Sequence, residues 1–244
     1  MAAPAHEPRL ARVAAMIADP ARSRMLAYLL SGAYASAGEL ARAASVAPPT
    51  ASGHLGKLQA SGFVVCEARG RHRYYRLADA EIAHALEALS LVAERNTHDK
   101  AWASPERQRL RYARCCYGHM AGTLGVALFD CLHAANGLLA TAVGFELTPG
   151  GHDKLAAIGF APQPPQTSRR FAYGCLDWSE RRDHLAGALA SDLLEHVVQQ
   201  GWLRTREAPG PRTGAPAGGN RVLTLTPSGR QRLLPWLGTA PPEP

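Results

Sequence analysis

From residue 109 onward the chain states one pattern twice. His119-Met120-Ala121-Gly122-Thr123-Leu124 returns as His184-Leu185-Ala186-Gly187-Ala188-Leu189, and Leu147-Thr148-Pro149 with Gly151 and Leu155 returns as Leu225-Thr226-Pro227 with Gly229 and Leu233. The order is kept. Between these marks each copy holds a helical run closed by a glycine, Gly137 or Gly201, and then a strand-like pair. A pattern stated twice in the same order predicts duplicated structure, two pseudo-symmetric halves packed together. The halves are read as 109–160 and 170–238. The second copy is 13 residues longer between its marks; the insertion, Ala208 to Asn220, is rich in Gly and Pro and reads as a mobile loop.

A helix, a glycine stop, two strands and Leu-Thr-Pro opening another helix resemble the closing half of a winged-helix unit. Two winged-helix-like repeats are therefore the expected architecture of residues 109–244. The competing reading is an irregular helical domain carrying two chance motifs.

The N-terminal third carries a different pattern. Leu10, Val13, Ala14 and Ile17 fall at i, i+3, i+4 and i+7, one face of a helix that Asp19-Pro20 ends. A second helix turns Met25, Leu26, Leu29 and Leu30 inward and stops near Ser31-Gly32. A third opens at a capping box, Ser36 to Glu39, and buries Leu40, Ala44 and Val46. Ala47-Pro48-Pro49-Thr50 leads into a fourth, ending at Ser61-Gly62, with Ala51, Leu55 and Leu58 on one face and Thr50, Gly53, His54 and Lys57 on the other. Phe63–Glu67 reads as a strand, Ala68-Arg69-Gly70-Arg71 as a tight turn and His72–Leu77 as the return strand. Short helices, the last of them polar outward, followed by an arginine-tipped hairpin make a winged helix-turn-helix. A helix of that width fits the DNA major groove, and wing arginines reach phosphates or the minor groove. The alternative is a solvated helix beside an ordinary hairpin.

These residues resemble the ArsR/SmtB-type bacterial repressors. The resemblance lies in Ile17 to Leu26, in Ser52-Gly53-His54-Leu55 with Leu58 and Gly62-Phe63-Val64, and in Arg69-Gly70-Arg71 with Tyr74-Tyr75, and it covers residues 8 to about 95. It implies a homodimer paired through the first helix and the helix after the wing, Asp79 to Arg95, which offers Ile82, Leu86, Leu89 and Val92. It implies that Thr50, Ser52, His54 and Lys57 face the operator. The full DNA-contacting set is read as Pro49, Thr50, Ser52, Gly53, His54, Lys57, Arg69, Arg71, Arg73 and Tyr75. Gly53 stands where the family commonly has a long polar residue, so a base contact is missing there. Two family metal sites look absent: Gly38 to Ala43 holds no cysteine, and the helix after the wing has Asp79, Glu81 and His84 without the zinc sensor's full set.

The chain is thus read as mainly α with short β wings (α+β): residues 1–95 a DNA-binding and dimerisation domain, 96–108 a linker, and 109–244 a sensor domain. Composition agrees. Of the 244 residues 46% are hydrophobic and 19% charged, too apolar for disorder, and the net charge of +7 favours a polyanionic partner. All but three of the 27 basic residues are arginine, which also follows from a GC-rich genome and so weighs little. No apolar stretch approaches the roughly 18 residues of a membrane span, and the start lacks a signal peptide's apolar region, so a cytoplasmic protein without a membrane partner is expected. Five cysteines, an odd number in a chain of this size, point to reduced thiols. No P-loop, GxGxxG after a strand, GxSxG or HExxH is present, so an enzyme is not expected.

Each repeat brings a Cys and a His to the start of its main helix. Cys116 and His119, three apart, would share a helix face, and Cys131 lies further down the same helix; Asp177 and Glu180 read as N-cap and N3 of the second helix, with His184 two turns in. Pseudo-symmetry brings Cys116, His119, Cys175 and His184 together. Mixed thiolate and imidazole ligands suit zinc or another transition metal, and equally a thiol redox sensor or a haem ligand. Against this, buried cysteine often serves as a small apolar residue. Tyr117, Met120, Phe129 and Trp178 offer an alternative, a pocket for an organic effector, though such residues at helical spacing are commonly core. The function expected is an operator-binding homodimeric repressor modulated by an effector ion or small molecule; otherwise the C-terminal domain is only structural.

Overall fold

The computed structural model describes residues 9–32, 34–69, 72–93, 104–163, 170–205 and 221–238. The chain separates into two compact units, the first running to Ala83 and the second from His84.

In the first unit α1 (Arg9–Ile17) hands over to α2 (Pro20–Leu29) at Asp19, whose side chain accepts the Arg22 N–H and whose following proline suits a first helical turn. Strand β1 (Ala35–Ser36) leads into α3 (Ala37–Ala44). The predicted capping box is formed: Ser36 accepts from the Glu39 N–H while Glu39 accepts from the Ser36 N–H at 2.8 Å. Ser45, with φ 57°, turns the chain into α4 (Pro48–Ala60). The wing is β2 (Val64–Arg69) paired with β3 (His72–Leu77), and β1 adds on the far side of β3 as a third strand that the sequence did not announce. Met25, Leu26, Leu29, Leu40, Ala51, Leu55 and Leu58 form the core, all 1% exposed or less.

Helix α5 (Ala80–Ala93) follows the wing. Then come α6 (Pro105–Tyr112), β4 (Arg114–Cys116), β5 (His119–Ala121), α7 (Thr123–Ala134), β6 (Leu138–Thr141), β7 (Gly144–Leu147) and α8 (Pro149–Ala156). The second half repeats that order from its first hairpin: β8 (Tyr173–Leu176), β9 (Asp183–Ala186), α9 (Ala188–Gln199), β10 (Leu203–Thr205), β11 (Leu223–Leu225) and α10 (Pro227–Leu237). Thr148 caps α8 and Thr226 caps α10 in the same way, each accepting the N–H of the glycine three residues on. The repeat is therefore real in three dimensions. Its halves interlock, because β9 packs along α7 and β5 along α9.

Several expectations need correction. Residues 105–108, read as linker, are the first turn of α6, capped by Ser104. Cys116 and His119 lie on a hairpin rather than a helix, and so do Cys175 and His184. Asp177 and Glu180 sit in the loop between β8 and β9 and start no helix. Val46 is half-buried. The aromatic pocket is not formed: Phe129 stacks edge-on against Phe145 and His133, Met120 lies in the core, and Trp178 lies under the Arg114 guanidinium at 4.4 Å. The insertion 208–220 and residues 96–103 of the linker lie outside the described residues.

Candidate functional site

Among the described residues two places carry the candidate chemistry. The first is the outer face of α4. With Ala51, Leu55 and Leu58 fully buried beneath it, Pro49, Thr50, Ser52, Gly53 and Lys57 are left exposed. His54 differs from the expectation: it is half-buried, with Nδ1 3.7 Å from the Asp19 carboxylate. That carboxylate is held below its ordinary pKa chiefly by the Arg22 backbone N–H. On the wing Arg73 is exposed. Arg69 closes β2 opposite His72, but its side chain, like the whole of Arg71, lies outside the described residues. Tyr75 corrects the reading outright. It is 8% exposed and sits between Ala35 and Cys66 in the three-stranded sheet, so it packs the wing and does not face outward.

The second place is built by two hairpins. Tyr117 and Gly118, at φ 47° and 94°, have the paired positive φ of a primed two-residue turn, and this sets Cys116 directly opposite His119. In the second hairpin Cys175 stands opposite His184. Opposed residues of an antiparallel pair project to the same face. Each hairpin thus presents one thiol beside one imidazole. The hairpins meet, and all four ligand atoms lie within 4.8 Å of one another, every residue buried. The two Nε2 atoms stand 3.0 Å apart, one donating to the other. A tetrahedral ion with bonds of about 2.0–2.3 Å needs donors about 3.3–3.8 Å apart, so only small movements separate this cluster from a coordination shell.

The surroundings orient these donors. The Asp177 carboxylate lies 3.2 Å from His184 Nδ1, which turns Nε2 toward the cluster. Such a carboxylate behind a histidine fixes the tautomer of a metal ligand. Asp177 is itself pinned, accepting the Gly122 N–H at 2.7 Å, the Ser179 hydroxyl at 2.7 Å and N–H at 2.9 Å, and the Glu180 N–H at 3.1 Å. The fully buried Arg114 reaches it at 2.9 Å and donates to Ser179 Oγ at 2.9 Å. Arg114 also lies 3.9 Å from Glu87 of α5, and Glu87 bonds Arg221, whose Nε donates to the Cys115 carbonyl at 3.0 Å.

The electrostatics follow. Burial pushes the Asp177 pKa up, but the Arg114 charge and the His184 bond outweigh it and hold the carboxyl well below its usual range. Burial pulls His184 down, and the bonds to Asp177 and Cys116 reverse this and raise it to about 9. His119 has no such carboxylate and is lowered by burial. The Cys116 thiol is raised to about 12 by its bond with the Cys175 thiol and by burial. A bound cation would be what ionises these thiols. A cavity of about 260 Å³, lined by His84, Glu87, Tyr173 and Cys175 among others, reaches the cluster at Cys175. Cys131 lies apart, its Sγ donating to the Trp236 carbonyl at 3.4 Å. Asp177, Arg114, Glu87 and Arg221 went unnoticed as a supporting network in the sequence, where 27 to 134 residues separate the partners that meet.

Comparison with known proteins gives the context. A helix-turn-helix domain family matches residues 17–67. The chain is 39% identical over 224 residues to an uncharacterized HTH-type transcriptional regulator, YdfF, of Bacillus subtilis (strain 168), covering 91% of this chain and 94% of that one. It is 40% identical over 86 residues to the HTH-type transcriptional regulator CmtR of Mycobacterium tuberculosis (strain ATCC 25618 / H37Rv), covering 35% of this chain and 72% of that one. The solution structure of the cadmium metal-sensor CmtR from Mycobacterium tuberculosis is 38% identical at a TM-score of 0.29, covering 32% of this chain and 81% of that one. No helix among the described residues is long and apolar enough to cross a membrane.

Proposed function

Since this chain belongs to the ArsR/SmtB-type winged helix-turn-helix transcriptional regulators, we propose that it is a metal-responsive repressor. Its operator affinity is set by a divalent transition ion, zinc or one of similar preference, at Cys116, His119, Cys175 and His184. In this reading residues 1–95 bind double-stranded DNA as a homodimer, 96–108 link, and 109–244 sense. Pro49, Thr50, Ser52, Gly53 and Lys57 of α4 enter the major groove, and the wing arginines Arg69, Arg71 and Arg73 hold phosphates. The dimer forms through apolar residues that the chain itself leaves uncovered, Leu10 (74% exposed) and Val13 on α1, and Leu89 and Val92 on α5. Such a protein works in the cytoplasm.

One observation carries the metal: two buried Cys–His pairs, each set in register by its own hairpin, converge with His184 already oriented by Asp177. Charge supports a divalent ion. Glu87 and Asp177 are matched by Arg114 and Arg221, so the neighbourhood is neutral, and two thiolates with two neutral imidazoles make a neutral centre only around a 2+ charge. When bound, the ion would supply the positive charge that ionises the two thiols. The residues supply its soft and borderline donors, exclude water and fix the tautomer of His184.

The test is metal analysis and cobalt substitution of protein purified without a histidine tag. One equivalent of cobalt per chain with thiolate charge-transfer absorption, lost in Cys116→Ser and in His184→Gln, is the expected result. Less than half an equivalent of any transition metal in the absence of chelators overturns the reading.

A further inference from the structure

Resting on that reading, we propose that Glu87 is the residue through which occupancy of the metal centre reaches α5, and through α5 the DNA-reading unit. The same helix that supplies Glu87 begins at Ala80, three residues after β3 ends, and its first turn is counted with the first unit.

A carboxylate 2% exposed on a helix otherwise rich in Ala and Leu is costly to bury, so its partners define its role. Those partners are Arg221, which it bonds directly, and Arg114 at 3.9 Å. Arg114 is no distant neighbour of the centre. It lies two residues before Cys116 on β4 and grips Asp177, the carboxylate behind His184. A buried chain of charge therefore runs His184, Asp177, Arg114, Glu87. A second contact runs alongside it: His84, one turn earlier on α5, meets the Tyr173 hydroxyl at 3.0 Å, and Tyr173 lies two residues before Cys175 on β8. Besides the bond to Arg221, the contacts of α5 with Arg114 and Tyr173 thus land two residues from the two cysteines, one in each hairpin.

Metal binding alters both ends of this chain. It would take both Nε2 atoms out of their mutual hydrogen bond, and it would ionise the thiols, of which Cys116 lies two residues from Arg114 on β4. β4 and β8 carry Arg114 and Tyr173 with them. Glu87 either follows Arg114 or loses it, and a helix held by two such contacts then has two positions of differing energy. An effector acts only through such a difference between states. Glu87 touches no ligand atom, so it is a positioning residue.

The experiment uses the full chain, Zn(II) alone as the effector, and a labelled duplex selected from random sequence by the wild-type protein in each metal state. Duplex affinity is measured with Zn(II) and with chelator, for wild type and Glu87→Gln, and Zn(II) affinity is measured by competition. The expected result is a wild-type ratio of about tenfold between metal states, falling to within about twofold in Glu87→Gln while Zn(II) affinity stays within about threefold. A Glu87→Gln ratio equal to wild type overturns the proposal. If Zn(II) binds wild type yet leaves its duplex affinity unchanged, the metal-responsive reading falls first and this one with it. If Glu87→Gln does not fold, hydrogen exchange on the wild type decides: Zn(II) must change protection over residues 84–93, and an unchanged pattern there overturns the proposal.

Discussion

His119 and His184, 65 residues apart in the chain, point their Nε2 atoms at each other across 3.0 Å. Neither hairpin makes this arrangement alone. Each contributes one imidazole beside one thiol, and the interlocking of the halves brings the pairs together, so the site exists only where the duplicated unit is complete.

Asp177→Asn keeps the shape of the side chain but removes the charge behind His184. The expected outcome is a 10- to 100-fold loss of Zn(II) affinity, roughly, with one ion still bound per chain. Competition against a chromophoric chelator reads it directly, and an affinity equal to wild type would contradict the role given to Asp177.

On the DNA side, Arg73→Ala on the exposed wing should weaken binding across all sequences and reduce the slope of log affinity against log salt by about 0.9, the signature of one lost phosphate contact. Tyr75→Phe should leave binding unchanged, because Tyr75 is buried in the wing. Fluorescence anisotropy titrations over a range of salt test both. A Tyr75→Phe protein that folds normally and loses affinity would return Tyr75 to the interface.

Acid should loosen the second unit through Glu87. Burial would raise its pKa, but the charges of Arg221 and Arg114 outweigh this and lower it. A carboxylate with a depressed folded pKa contributes stability that is fully present above its unfolded value of about 4.3 and is lost as pH falls through the folded one. Thermal melts should therefore fall away below about pH 4.5. Glu87→Gln should show a shallower acid limb and, at neutral pH, a loss of about 3–5 kcal/mol from two arginines left with one partner fewer. Identical acid limbs would refute the assignment.

Glycines separate strain from slack. Gly122 and Gly187 open α7 and α9 at φ 81° and 100°, and a Cβ there would strike the Arg111 and Phe171 carbonyls. Alanine at either should cost at least about 1–3 kcal/mol, and at Gly122 it should also weaken metal binding by disturbing the N–H that pins Asp177. Gly56→Ala on α4 meets nothing within 4 Å and should stabilise by about 0.5–1 kcal/mol. Chemical denaturation ranks all three, and a neutral Gly122→Ala would show the close approach to be softer than drawn.

Much of this was readable in advance because it is local. Asp19-Pro20, the Ser36–Glu39 box and the Leu-Thr-Pro entries to α8 and α10 are signals within four residues, and each sits where periodicity puts it. The repeat alone picked out Cys116, His119, Cys175 and His184, which the two hairpins bring together. Their setting is not legible there, since strands of three or four residues are too short to show alternation, and Cys116-Tyr117-Gly118-His119 looks like one turn of helix unless the glycine is taken as a hairpin signal. Tyr75 had a cue that was passed over: it shares a strand face with Leu77, which is 1% exposed. The Glu87, Arg114, Arg221 and Asp177 network had none, being assembled by packing alone.

The two hairpins also differ in a way that their shared origin hides. Between its cysteine and histidine the second holds the loop Asp177–Arg182, with room for a carboxylate and the N–H groups that restrain it, whereas the first has only Tyr117 and Gly118. The proposed centre would thus have unequal halves, with His184 backed by a pinned carboxylate and His119 set by a two-residue turn.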